Sequence, residues 1–293
     1  MTEHNSADNH GTKTFLVTGA SSGLGRAMAQ AALDAGHTVV GTVRRPVDAE
    51  AFEALAPGRS VARLLDVTDD DAVARTVDEV ENTVGPVDVA IANAGYGHEG
   101  IFEESTMADL RRQFEVNVYG TVAFVRAVLP HMRARRRGHI LGITSMAGLI
   151  TVPGTSFYQG SKYAVEGILE TVGKEVAPFG IHVTAVAPGS FRTDWAGRSM
   201  VRAERSIGDY DQVMTPVREH RLAADGRQLG NPRAAAEAVL EIVGVPNPPA
   251  HLVLGSDALR LVTAGRAAVD REIQQWAELS RSTDFPDGAQ LPG

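Results

Sequence analysis

The sequence predicts a doubly wound α/β domain, with a parallel sheet of about seven strands and helices on both faces. Short β-branched runs alternate along the chain with longer segments of helical periodicity. This alternation is typical of βαβ units and of a parallel sheet. Most of the short runs are apolar throughout, as expected of strands buried on both faces.

The elements follow one another in a single series. The predicted strands comprise residues 14–18, 38–43, 61–65, 87–92, 139–144, 181–187 and 251–254. The predicted helices comprise residues 23–35, 69–84, 107–133, 156–178 and 232–243, with a further amphipathic helix at 258–279. The unbroken series predicts one domain at 13–257, after a disordered tail at 1–12 and before a C-terminal helix and tail at 258–293.

Residues 190–231 break this alternation, since they combine aromatic residues and many charges without a clean strand. A long insertion late in a compact domain often forms a lid or a binding loop, which we expect here. The alternative is an ordinary surface excursion packed by its own apolar residues.

Composition excludes several classes of function. The net charge is −8 and the sequence pI is about 5.6, which argues against a nucleic-acid or anionic-membrane partner. The chain has no cysteine, so disulfides, thiolate metal sites and cysteine nucleophiles are excluded, and no metal site is predicted. No stretch approaches the roughly 20 apolar residues of a membrane span, and the polar start lacks the apolar region of a secretory signal. We therefore expect a cytoplasmic protein.

A glycine-rich turn follows the first predicted strand and opens the first helix, with the sequence Thr18-Gly19-Ala20-Ser21-Ser22-Gly23-Leu24-Gly25. Gly19 permits a tight turn, Gly23 lets the backbone approach a pyrophosphate, and Gly25 lets helix and strand pack closely. The helix N-terminus offers free N–H groups to phosphates. A glycine-rich turn alone is a weak signal, but its place between strand and helix favours a dinucleotide site.

The end of the second predicted strand indicates the cofactor. NAD sites usually place an acidic residue there to bind the ribose 2′-hydroxyl, but this chain has Val43 followed by Arg44 and Arg45. A guanidinium can pair with a 2′-phosphate and stack on adenine, so we expect NADP(H). Alternatively, both arginines are solvated loop charges.

Three side chains suggest carbonyl chemistry. Tyr158 and Lys162 are four residues apart on a predicted helix and share one face. Tyr158 is a candidate general acid or base whose pKa a nearby Lys162 ammonium would lower. Ser145 follows the fifth predicted strand at the sheet edge where ligands bind, and its hydroxyl can orient a carbonyl. A lone Tyr-x-x-x-Lys is common by chance, but its occurrence with Ser145 and the glycine turn favours a site.

Further motifs accompany these three residues in a fixed order: Asp66-Val67, Asn93-Ala94-Gly95, Asn117, Tyr158-Gln159-Gly160-Ser161-Lys162 and Pro188-Gly189. With the glycine turn, they resemble the single-domain branch of the short-chain dehydrogenase/reductase family over residues 14–254. The resemblance implies a Rossmann-type fold and an oxidoreductase. It also implies a homodimer or homotetramer in which the helices at 107–133 and 156–178 pair between subunits.

The resemblance also implies a role for each motif. Asp66 would bind the adenine amino group and Val67 would contact the ring, while Asn93, Ala94 and Gly95 would line the cofactor. Asn117 would be a fourth catalytic residue, holding a water that links Lys162 to solvent, and Lys162 would also bind the nicotinamide ribose. The residues seating the nicotinamide would be Pro188, Gly189, Phe191 and Thr193, where Phe191 replaces a smaller aliphatic residue common in the family.

These inferences predict an NADP(H)-dependent carbonyl reductase or secondary-alcohol dehydrogenase. The alternative is a catalytically silent NADP(H)-binding sensor or scaffold of the same fold. Apolar and aromatic residues predominate around the expected pocket, which favours a bulky, largely apolar ketone or alcohol. The expected pocket residues are Tyr96, His98, Met146, Gly148, Thr155, Gly189, Phe191, Trp195 and Met200.

Overall fold

The computed structural model describes residues 11–193, 199–285 and 288. Its centre is a parallel sheet of seven strands with helices on both faces, which confirms the predicted fold class. In chain order the strands are β1 (Thr14–Val17), β2 (Thr38–Val43), β3 (Ser60–Leu64), β4 (Val89–Ala92), β5 (Gly97–Glu99), β6 (Gly138–Ile143), β7 (Ile181–Pro188), β8 (Met200–Arg202) and β9 (His251–Leu254). Strands β5 and β8 form a separate two-stranded parallel sheet.

The helices lie between these strands and after the last one. They are α1 (Gly23–Asp34), α2 (Pro46–Glu53), α3 (Asp70–Thr83), α4 (Met107–Phe114), α5 (Gly120–Arg135), α6 (Ser156–Val176), α7 (Asp211–Ala224), α8 (Pro232–Gly244), α9 (Ser256–Gln275) and α10 (Ala277–Arg281). No helix in the described part of the chain has both the length and the apolar character needed to cross a membrane.

The main sheet has the strand order β3-β2-β1-β4-β6-β7-β9. The chain moves outward from β1 through β2 to β3, and then returns to place β4 on the other side of β1. In doubly wound sheets, ligands bind at the carboxyl ends of the strands where the order reverses in this way. The loops after β1 and β4 lie at this point.

Two apolar cores cover the two faces of the sheet. One contains Val77 of α3, Phe124 of α5 and Leu169 of α6. The other contains Met28 of α1, Phe52 of α2 and Val239 of α8. All these side chains are 3% exposed or less, which explains why the strand sequences are apolar throughout rather than alternating.

The structure differs from the sequence prediction in several places. The predicted helix at 107–133 is divided into α4 and α5 by a π-helical segment, Glu115–Tyr119. Helix α2 was not predicted, although Pro46 at its first turn is a helix-start signal. The region at 190–231, in which no clean strand was predicted, contains strand β8 and the 14-residue helix α7.

Candidate active site

The glycine-rich turn joins β1 to α1 at the carboxyl edge of the sheet. Gly19 and Gly23 have φ angles of +69° and +58°, which glycine adopts without steric cost. A Cβ on Gly25 would lie 2.5 Å from the carbonyl oxygen of Gly19. The turn can therefore pack this closely against α1 only because residue 25 lacks a side chain.

Asn93 and Thr18 fix the turn to the end of β4. The Thr18 hydroxyl accepts hydrogen bonds from the backbone N–H groups of Asn93 and Ala94, at 2.9 and 3.0 Å. The Asn93 amide donates to the carbonyls of Thr18 and Gly19, at 3.0 and 3.1 Å. Asn93 therefore braces the glycine turn, a role that its place in the sequence motif did not reveal.

Arg44 and Asp66 line the same surface hollow, together with Leu64, Leu65, Asp69 and Ala72. Hydrogen bonds from the backbone and hydroxyl of Thr68 lower the pKa of Asp66, and Arg44 adds to this effect. Asp69 caps α3 by accepting a hydrogen bond from the N–H of Ala72 at 2.8 Å.

The two arginines after β2 have different surroundings. Arg45 pairs with Asp48 through two hydrogen bonds of 2.7 and 2.6 Å, whereas Arg44 faces the hollow. Val67, expected beside an adenine ring, has its side chain buried in the core. A Cβ on Gly120 would come within 2.7 Å of that side chain, so the side chain of Val67 packs against α5.

Three consecutive residues at the end of β6 bind three successive turns of α6. The carbonyl of Ile143 accepts a hydrogen bond from Lys162 Nζ at 2.8 Å. The Thr144 hydroxyl donates to Glu166, and the Ser145 hydroxyl is hydrogen-bonded to Tyr158. The structure thus brings Ser145, Tyr158 and Lys162 together, as the sequence predicted.

Burial controls the ionisation of this group. It raises the pKa of Tyr158 to about 12, and the hydrogen bond with Ser145 offsets part of the increase. It lowers the pKa of Lys162 to about 8, against the opposing effect of the Glu166 carboxylate. The expected lowering of the Tyr158 pKa by Lys162 is not found, because burial dominates and the ammonium is bound to Ile143, 5.8 Å from the centre of the tyrosine ring.

Asn117 lies in the π-helical segment, where an extra residue in the turn redirects side chains. Its amide donates to the carbonyl of Tyr96 at 3.0 Å and to the Ser161 hydroxyl at 3.1 Å, and its oxygen accepts from the N–H of Tyr96. A Cβ on Gly95 would lie 3.1 Å from Asn117 Oδ1 and 3.7 Å from Lys162 Nζ. Asn117 and Lys162 therefore border the same backbone loop after β4.

The loop after β7 closes over the glycine turn. A Cβ on Gly23 would lie 3.7 Å from Thr193, while the N–H of Gly189 is bound to the carbonyl of Leu254 at 2.8 Å. The ring of Phe191 packs against Gly230, where a Cβ would come within 2.5 Å of it. Trp195, another expected pocket residue, lies outside the described residues.

Two carboxylates that the sequence did not single out hold residues 200–221 against the segment after β5. Glu99, 3% exposed, pairs with Arg202, Arg218 and Arg221 at 3.6, 3.7 and 2.9 Å. Glu104 accepts hydrogen bonds from the backbone N–H groups of Ser206 and Ile207 and from Arg205. The two backbone bonds are the main cause of its lowered pKa.

Two expected pocket residues lie beside these carboxylates. His98, 2% exposed, stacks on Phe157, the neighbour of Tyr158, with 5.4 Å between ring centres. Met200, also buried, is paired with Gly97 in the small sheet. The small sheet therefore connects the segment at 200–221 with the N-terminal end of α6.

Comparison with known proteins gives a consistent result. The model of the short chain dehydrogenase family matches residues 13–202. Oxidoreductase BOA17 of Botryotinia fuckeliana is 36% identical over 270 residues, covering 92% of this chain and 98% of the relative. The 3-ketodihydrosphingosine reductase of Bacteroides thetaiotaomicron is 34% identical over 264 residues, covering 90% and 95%. A solved short-chain dehydrogenase from Streptomyces avermitilis is 39% identical with a TM-score of 0.88, covering 94% of this chain and all of that one.

Proposed function

Since this chain belongs to the short-chain dehydrogenase family and is an oxidoreductase, we propose that it is an NADP(H)-dependent carbonyl reductase. Its catalytic residues would be Asn117, Ser145, Tyr158 and Lys162, and its substrate a bulky, largely apolar ketone. The secondary alcohol would be oxidised by the same residues in reverse.

The observation that carries this proposal is the joint position of Ser145, Tyr158 and Lys162 beside the glycine turn. A Cβ on Gly19 would lie 3.0 Å from Cα of Ala94, and the next residue, Gly95, borders Lys162. A cofactor bound along the turn would therefore extend toward the tyrosine. Such proximity is what a hydride transfer coupled to a proton transfer requires.

The residues around the glycine turn fit a dinucleotide phosphate. The positive-φ glycines and the N-terminus of α1 provide backbone N–H groups for a pyrophosphate. Arg44, in the hollow with Asp66, supports a preference for a 2′-phosphate over a free ribose hydroxyl. When bound, the reduced nicotinamide would supply the hydride.

The protein's own groups would manage the proton. With its pKa raised to about 12, Tyr158 holds its proton at neutral pH and can donate it to a carbonyl oxygen as charge develops there. The Ser145 hydroxyl would donate a second hydrogen bond to the same oxygen. The Lys162 ammonium would favour the phenolate that remains, and Asn117 would hold the water through which the proton is replaced.

Residues 190–231 would form a lid over the substrate. Strand β8 and helix α7 are held near the N-terminal end of α6 by Glu99 and Glu104, which supports this position. The Bacteroides relative is named for reducing a keto group on dihydrosphingosine. We therefore propose ketones with long or steroid-like, retinoid-like or polyketide-like apolar parts as substrates.

We further propose a homodimer or homotetramer paired through α4, α5 and α6. Met107 and Tyr163 on these helices are 56% and 42% exposed, and Tyr119 in the π-helical segment between α4 and α5 is 54% exposed. Exposed aromatic and apolar side chains are typical of interfaces. Sedimentation velocity would measure the assembly, and a monomer at micromolar concentration would contradict it.

The function is tested by mixing the protein with NADPH and a panel of such ketones and following the loss of reduced nicotinamide absorbance. Tyr158→Phe should lower turnover by about 10²- to 10⁴-fold, because it removes the proton donor. NADPH binding, measured by fluorescence, should remain. Tyr163→Phe is the matched control on the same helix and should keep full activity. It removes the same hydroxyl group but keeps the ring, whose exposed part would lie at the proposed subunit interface.

Two outcomes would contradict the proposal. Turnover that survives Tyr158→Phe would exclude the assigned proton donor. Tight NADPH binding without turnover on the whole panel would favour the silent sensor or scaffold.

A further inference from the structure

Glu166 is a buried carboxylate that the proposed mechanism does not use. It lies one helical turn beyond Lys162 on the same face of α6, in the series Tyr158, Lys162, Glu166. All three residues are buried, with exposures of 6%, 6% and 5%. A buried carboxylate is costly unless it is paired and hydrogen-bonded, so its contacts indicate its role.

Both carboxylate oxygens of Glu166 are bound by groups at the end of β6 and the start of β9. Oε1 accepts a hydrogen bond from the hydroxyl of Thr144. In the chain Thr144 lies between Ile143, which contacts Lys162, and Ser145, which contacts Tyr158. Oε2 lies 2.9 Å from Nδ1 of His251, at the start of β9. The carboxylate is therefore held between the end of β6 and the start of β9, one helical turn from Lys162.

A series of polar contacts leads from this carboxylate to the surface. The imidazole of His251 is 33% exposed, and its Nε2 lies 3.6 Å from Glu170. Glu170 pairs in turn with Lys174 at 2.7 Å. The charged and titratable groups around Lys162 are thus Tyr158 and Glu166 on its own helix, then His251 on β9 and Glu170 beyond it.

We propose that Glu166 is a positioning residue that keeps Lys162 charged and aligns the end of β6 beneath Tyr158. It acts through Lys162 and Thr144 and does not touch the substrate. Its negative charge opposes the burial that lowers the pKa of Lys162. The importance of this charge for turnover rests on the proposed function, whereas its effect on Lys162 itself does not.

Because the chain contains three lysines, Lys13, Lys162 and Lys174, the inference can be tested without a substrate. Lysine labelled with ¹³C at Cε gives one NMR signal per residue, and Lys162→Met identifies the signal of interest. The wild-type Lys162 pKa should lie near 8. In Glu166→Gln it should fall by about one unit, because a nearby negative charge favours the ammonium.

Two further variants separate charge from structure. Glu175→Gln makes the same change at an exposed position of α6 and should leave the Lys162 pKa unchanged. Glu166→Asp keeps the charge and should restore most of the wild-type value. Equal pKa values in Glu166→Gln and Glu175→Gln would overturn the inference, as would equal decreases in Glu166→Gln and Glu166→Asp.

Turnover gives a second readout. In ketone reduction the alkaline limb of the pH profile should move to lower pH in Glu166→Gln, because Lys162 loses its proton earlier. A wild-type protein that reduces no ketone would contradict the proposed function alone. An unchanged alkaline limb in an active Glu166→Gln variant would contradict the role of Glu166 in turnover.

Discussion

The glycine turn and the segment at 200–221 lie at the same edge of the sheet but are held in different ways. The turn is fixed by close backbone packing at Gly25 and by the hydrogen bonds of Asn93 and Thr18. The other segment is attached mainly through two carboxylates, Glu99 and Glu104. Close packing fails when one methyl group is added, whereas ionic attachment responds to charge and pH. A change of side-chain shape should therefore impair the glycine turn, and a change of charge should impair the attachment of the segment at 200–221.

The largest effect is expected from a substitution in the glycine turn. Gly25→Ala places a methyl group against the carbonyl of Gly19, so we expect a loss of about 1–3 kcal/mol of stability and of most NADPH binding. Gly167→Ala is the matched control, because a Cβ there meets nothing within 4 Å, and it should stabilise α6 by about 0.5–1 kcal/mol. Chemical denaturation measures both variants, and equal free energies of unfolding would refute the packing argument.

The next effect concerns the cofactor. Arg44→Ala should weaken NADPH binding by about 10- to 100-fold, the equivalent of one charge-assisted contact of about 1.5–3 kcal/mol, and should leave NADH binding almost unchanged. Arg45→Ala is the comparison, since Arg45 is already paired with Asp48, and its effect should be smaller. Fluorescence titrations measure the binding. Equal losses for NADPH and NADH would show that Arg44 does not recognise the 2′-phosphate.

A smaller effect is expected from a substitution that weakens the attachment of the segment at 200–221. Glu104→Gln removes the charge that holds Ser206, Ile207 and Arg205, so KM for a bulky ketone should rise several-fold and proteolysis within 200–221 should become faster. NADPH binding should not change. Glu219→Gln makes the same change at an exposed carboxylate of α7 and should have less effect. A rise in KM of the same size in both variants would count against a specific attachment at Glu104.

The smallest expected effect is a dependence of proteolysis within 200–221 on pH. The pKa of Glu104 is lowered in the folded protein, so its contribution is present above its ordinary value of 4.5 and is lost as the pH falls through the lowered value. Proteolysis within 200–221 should therefore accelerate in acid before the whole domain unfolds. The same acid sensitivity in Glu104→Gln would assign the effect to another group.

The glycine turn could be predicted from the sequence, whereas the ionic attachment of the segment at 200–221 largely could not. Apolar strands and a glycine-rich turn have local patterns, so the fold class, the turn and the spacing of Tyr158 and Lys162 were all accessible. Strands β5 and β8 have only three residues each, and β5 contains the charged residue Glu99, so neither sequence has the apolar pattern of a buried strand. The π-helical segment at Asn117 adds one residue to a turn without disturbing the apolar pattern enough to be recognised.

Glu166 is an intermediate case. Its spacing from Lys162 places it on the same helical face, and that signal is present in the sequence. Its partner Thr144 directly follows β6, and its partner His251 begins β9, 85 residues further along the chain. Only the folded sheet brings them together.

The contacts of Ile143, Thr144 and Ser145 have a consequence for how this site can change over time. Three adjacent residues bind three different partners, through the backbone carbonyl of Ile143 and the hydroxyls of Thr144 and Ser145. Inserting or deleting one residue in β6 would displace all three contacts at once. The length of this strand should therefore remain constant among active descendants, and diversity should accumulate by substitution in the lid.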